Sequence, residues 1–187
     1  MLAYIYAVFH SPGYRERYDG QLKLDFPRHF RIFAVEVADA LTIGGSSPME
    51  LYDMEVAASG GIILENNLLV TNNTNLIVGD IRTDREMETN SWILFSDDSF
   101  YTGESPTSKV DGYAAIQNKQ EFRFPVGDSE QLHALHIESQ GVNPISICAY
   151  FPENPRRAQN SLDSKSGGSG LKVSSQEYWS LEGELPS

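Results

Sequence analysis

From residue 32 onward the chain is punctuated. Short apolar and β-branched runs stop at small polar or glycine pairs, at a spacing of roughly eight to ten residues. The runs are Ile32 to Val37, Leu41 to Ile43, Met49 to Val56, Ile62 to Leu64, Leu68 to Val70, and Leu76 to Val78 followed by Ile81. The breaks are Gly44-Gly45, Ser59-Gly60-Gly61, Asn66-Asn67 and Asn72-Asn73. Asn and Gly tolerate a positive φ, so these breaks read as tight turns. Such short runs fit strands that stack on their neighbours, in a β-solenoid or a meander. There is no strict sequence repeat.

Between residues 92 and 151 the expected strands are longer: Trp92 to Phe95, Val110 to Gln117, Glu121 to Val126, Leu132 to Glu138 and Ile145 to Phe151. Their Gly, Pro, Asn and Asp punctuation reads as an antiparallel sandwich. Pro152, Pro155 and the Gly167-Gly168-Ser169-Gly170 run mark a flexible loop over 152–170. Leu171 to Val173 and Tyr178 to Leu181 then read as two more strands. The expected fold class is all-β: a solenoid-like or meander ladder over 32–86, then a sandwich-like module over 87–187. A short helical segment precedes them over 1–31. Ser11-Pro12 is a helix-start signal there and Gly20 a stop, and Leu22 to Phe26 alternates like a brief strand. The closing aromatic strand calls for a neighbour to pair with, so the chain is expected to be a fragment.

Charge divides the chain at the same place. Residues 1–31 hold Arg15, Arg17, Lys23, Arg28 and Arg31 against three acids, a net +2, whereas residues 32–187 carry −14, for a total of −12. An acidic chain is a poor general binder of nucleic acid. The first stretch differs, because its bases interleave with Tyr14, Tyr18 and Phe26. Basic and aromatic groups together can contact phosphate and stack on bases. The competing reading is a solvated helix face. No apolar run approaches the ~20 residues of a membrane helix. Leu2 to Phe9 lacks both the preceding base and the cleavage pattern of a signal peptide.

Catalytic chemistry finds little footing. The single Cys148 excludes an internal disulfide and a cysteine zinc cluster. The histidines are His10, His29, His133 and His136; the last two, three apart on a strand, would face opposite ways. No nucleophile elbow is present. Asp97, Asp98, Asp111 and Asp128 are loop acids of the kind that hold calcium, but without calcium-loop spacing they read as a solvated rim. Gly103 and Gly112 read as turn glycines. No metal and no cofactor is expected, and the chain is not expected to be an enzyme.

Two family resemblances cover different parts. Residues 40–181 carry, in order, Leu41 to Gly44, Asn67 to Asn72, Gly79 to Asp84, Val110-Asp111-Gly112-Tyr113, Phe122 to Asp128, Cys148 to Phe151 and Ser174 to Trp179. This order resembles a module of type IX-secreted, gliding-associated bacterial surface proteins. The resemblance implies a non-catalytic structural or adhesive β module at the cell surface. Its partners would be a surface ligand or other modules of the same polypeptide. The motif residues are Asp111, Gly112, Tyr113, Phe124, Pro125, Gly127, Asp128, Tyr178 and Trp179, mostly structural, with Phe124 and Trp179 expected in the core.

Residues 4–28, from Tyr4-Ile5-Tyr6 through Tyr14-Arg15-Glu16-Arg17-Tyr18 to Phe26-Pro27-Arg28, resemble the segment beside the target-recognition part of type ISP-like restriction–modification enzymes. That resemblance implies an alternative: a fragment of such an enzyme, with DNA as partner and Arg15, Arg17, Lys23 and Arg28 as contacts. The methyltransferase and nuclease motifs of those enzymes are absent from this sequence.

Overall fold

The computed structural model describes residues 29–34, 39–86, 91–153 and 176–183. The expected N-terminal helix, the strand over 22–26, the loop after 153 and the strand over 171–173 lie outside the described residues. No helix occurs among those described, and the fold is all-β.

Among the described residues thirteen strands form two sheets. The larger contains β1 (His29–Ala34), β3 (Met49–Ala58), β5 (Leu68–Val78), β7 (Ile93–Phe95), β10 (Ala114–Phe124), β12 (Leu135–Phe151) and β13 (Tyr178–Gly183), in that order, with β8 (Phe100–Thr102) also on β5. The smaller has the order β11 (Val126–Gly127), β9 (Val110–Asp111), β6 (Ile81–Arg82), β4 (Ile62–Leu64) and β2 (Leu41–Ile43). The chain passes from one sheet to the other and back. The result is about three turns of a parallel β-solenoid with an additional sheet.

Residues one turn apart stack in register, and this builds the core. Leu41, Ile62, Ile81, Val110 and Val126 form one column in the smaller sheet. Opposite it, Leu68 aligns with Ile93 and Ala114, and Val70 aligns with Phe95 and Ile116. Except for Leu41, which packs against its edge, all of these are fully or almost fully buried. Each buried branched side chain removes apolar area from water at about 25 cal/mol per Å², so the columns drive the coiling. Nineteen residues separate Ile62 from Ile81, and twenty-nine separate Ile81 from Val110. The turns therefore differ in length, which is why the coil leaves no strict repeat in the sequence.

One corner shows how the backbone is satisfied. The N–H groups of Leu41, Ile62, Ile81 and Val110 donate to the carbonyls of Gly61, Asp80, Lys109 and Pro125 at 2.8–3.0 Å. Gly79 sits here at φ +93, and a Cβ would lie 1.7 Å from the Ala58 carbonyl oxygen. Only glycine fits.

The strand direction differs from expectation in one region. β7, β9 and β11 pair as parallel rungs that continue the coil, and β10 pairs parallel with β7 on one side; among the named strands antiparallel pairing occurs only in β10–β12–β13. Alternation sets which side chains face inward but carries no information about direction, which the corner turns decide. β12 then reverses and lies along the whole of β10, ending the parallel stack.

Candidate functional site

An open cleft lies where the last rungs meet β12. It is lined by Arg85, Glu86, Asp111, Asp128, Ser129, Phe151, Pro152 and Glu153. The fold brings Asp111 and Asp128 together here, from the ends of β9 and β11, because those strands are stacked rungs.

Arg85 organises the cleft. Its guanidinium donates to the Tyr150 carbonyl, to the Asp111 carboxylate and, at 2.8 Å, to the Gly127 carbonyl. The same group lies 5.5 Å from the centre of the Phe151 ring. An arginine fork that satisfies three acceptors and covers a ring is a rigid strut. It ties β9 and β11 to β12.

Asp128 caps the turn after β11. Its Oδ1 accepts from the N–H groups of Glu130 at 2.9 Å and Gln131 at 2.8 Å. Burial raises its pKa, but those N–H donors, His133 and Lys109 outweigh burial and hold it below the usual value. His133 Nε2 stands 3.9 Å from Asp128 Oδ2, and its ring stacks on Tyr150 at 3.9 Å. His136 lies apart, 3.5 Å from Glu121. Among the described residues no group of three or more His, Cys, Asp or Glu could hold a metal ion.

The other motif residues are placed as follows. Gly112, at φ +135, faces Thr83, whose Oγ1 lies 2.3 Å from where a Cβ would be and accepts from the Tyr113 N–H. Tyr113 is buried and meets Phe151 edge-on at 6.1 Å. The Pro125 carbonyl accepts from Val110, and Phe124 is fully buried, as expected. Tyr178 stacks on Phe151 at 4.9 Å. Trp179 corrects an expectation: it is 39% exposed. It sits on β13, outside β12, where its indole N–H donates to the His133 carbonyl at 2.8 Å. β13 is the outermost described strand on that side of the larger sheet, and this edge position keeps Trp179 out of the core.

Two lysines escaped the sequence reading. Lys109 is fully buried, with Nζ 3.0 Å and 3.2 Å from the two Asp80 carboxylate oxygens and 2.6 Å from the Pro106 carbonyl. Burial pushes Asp80 up, and Lys109 is the main counterweight. Lys119 donates to the carbonyls of Asp97 at 2.7 Å and Ser99 at 2.6 Å. Its ammonium thus ties two carbonyl oxygens of the Asp97–Ser99 turn. Aligning Gly79-Asp80-Ile81 with Ser108-Lys109-Val110 as equivalent corners would have exposed the first pair. Arg85 and Lys119 have no comparable local signature.

Arg15, Arg17, Lys23 and Arg28 lie outside the described residues. The comparisons bear on that stretch. Residues 1–30 match the model of the Type ISP C-terminal specificity domain. No curated protein and no solved structure matches the chain. The match ends two residues into β1 and does not reach the cleft. No helix among the described residues is long and apolar enough to cross a membrane.

Proposed function

We propose that the chain is a non-catalytic recognition module of a restriction–modification enzyme. In this reading the N-terminal segment contacts DNA through Arg15, Arg17, Lys23 and Arg28, and the solenoid is the rigid body that carries it. The family match over residues 1–30 is the observation that supports this most directly. The charge distribution agrees: net −14 over residues 32–187 repels phosphate and confines contact to the basic end. The Arg85 cleft acts as a structural tie, since every donor direction of its guanidinium that the contacts reveal is spent on the fold.

The test is duplex binding by the full chain across a salt series. With four phosphate contacts, log K should fall against log salt with a slope of about −3 to −4. Arg15→Ala with Arg17→Ala should weaken binding and reduce the slope by about 2. No binding even at low salt would sink the proposal.

A second reading is a structural or adhesive module of a surface protein, binding a surface ligand or other modules of its polypeptide. It is motivated by the order of motifs over residues 40–181 and by the polar row in which Asn75 donates to Glu55 and Thr102 to Asn75. Fractionation of the producing cell tests it: retention in the cytoplasm is the adverse result.

A further inference from the structure

β1 begins inside the stretch that matches the specificity domain and ends as the outermost described strand of the larger sheet. It runs parallel to β3, with His29 in register with Asp53 and Arg31 with Glu55. β3 aligns Asp53 with Asn73 and Glu55 with Asn75 on β5, and β5 aligns those with Phe100 and Thr102 on β8. Two rows therefore cross four strands. In each row the carboxylate is held from the β5 side. Asp53 Oδ1 accepts from Asn72 Nδ2 at 2.6 Å and from the Asn73 N–H at 3.2 Å, and Glu55 Oε2 accepts from Asn75 Nδ2 at 3.2 Å. The acids are thus fixed by the solenoid, while the register positions beside them on β1 carry basic residues.

We infer that Asp53 and Glu55 are positioning residues that latch β1, and with it the DNA-specificity segment, onto the solenoid. Neighbouring strands lie about 4.8 Å apart, so the opposite charges of Arg31 and Glu55, at paired register positions, attract, and His29 adds to this when protonated. A terminal strand with one described neighbour frays readily, and the latch opposes that. This inference rests on the proposed role in DNA recognition.

The experiment uses the full chain with Asp53→Asn and Glu55→Gln together. Both amides keep an oxygen for the β5 donors and lose only the charge. Amide hydrogen exchange over residues 29–34 should accelerate roughly three- to tenfold, with β5 and β10 unchanged. Arg31→Gln, which leaves the other strands untouched, should give the same acceleration. Duplex affinity should fall by a similar factor. Removing two negative charges would by itself strengthen DNA binding, so a fall has the opposite sign to simple electrostatics. Unchanged exchange over 29–34, or equal acceleration everywhere, overturns the latch. Accelerated exchange with affinity unchanged or raised overturns the positioning role. If the unaltered chain binds no duplex, the functional proposal fails while exchange still decides the latch.

Discussion

Lys109→Met should be among the most damaging changes to this fold that preserve side-chain size. Methionine replaces the apolar stem and removes only the ammonium. Two carboxylate contacts, at 3.0 Å and 3.2 Å, and one carbonyl contact, at 2.6 Å, disappear together. The Asp80 side chain is 11% exposed, so water cannot replace them fully. Removing one partner of a buried ion pair costs roughly 3–5 kcal/mol. Against a total stability of about 5–15 kcal/mol, that is a large fraction.

The pH response adds a second signature. Burial already raises the pKa of Asp80 above 3.8 in the presence of Lys109, and without the lysine the rise grows. A carboxyl whose folded pKa exceeds its unfolded value binds protons more readily when folded. Stability is therefore gained as pH falls from above the folded pKa towards 3.8. Urea unfolding of the variant at about pH 7 and about pH 5 should show the deficit shrinking in acid. Lys109→Met combined with Asp80→Leu should lie within about 2 kcal/mol of the unaltered chain, because no charge is then stranded. A single variant within about 1 kcal/mol of the parent at neutral pH, or one that weakens further in acid, would refute the reasoning.

Further changes probe other parts of the coil. Gly79→Ala forces a Cβ against the Ala58 carbonyl at a positive φ and should cost about 3 kcal/mol or more, read from the melting temperature. Phe95→Ala empties the centre of the Tyr101 and Phe122 ring contacts, at 5.8 Å and 5.3 Å, and should cost about 3–5 kcal/mol in urea unfolding. Cys148 is buried and its thiol is pushed up to about 12, so a thiol reagent at neutral pH should label it only as the chain unfolds. Labelling at the rate of a free thiol would contradict the described packing.

Much of the architecture was legible before the structure. Runs such as Ile62 to Leu64, which follows Ser59-Gly60-Gly61, are too short to bury themselves except by stacking, whereas Asn72-Asn73, expected as a turn, lies inside the continuous strand β5. Of the two motif aromatics expected in the core, Phe124 is fully buried and Trp179 is not. The turn character of Gly112 followed from its flanks, and its φ is positive. The cleft was only half legible. Asp111 and Asp128 stood out as loop acids, but Arg85, which binds one of them and neighbours the other, carried no local mark.

The sequence alone determined that this is a strand-rich chain with a basic head and an acidic body, because period and charge are properties of neighbours along the chain. The tertiary structure decided which strands run parallel, that Trp179 lies at the surface, and that Lys109 neutralises Asp80 from one turn further on. Those outcomes depend on which residues meet after the chain has wound about three times around its own core. Turn lengths set those meetings, and since they vary from rung to rung, no fixed spacing in the sequence encodes them.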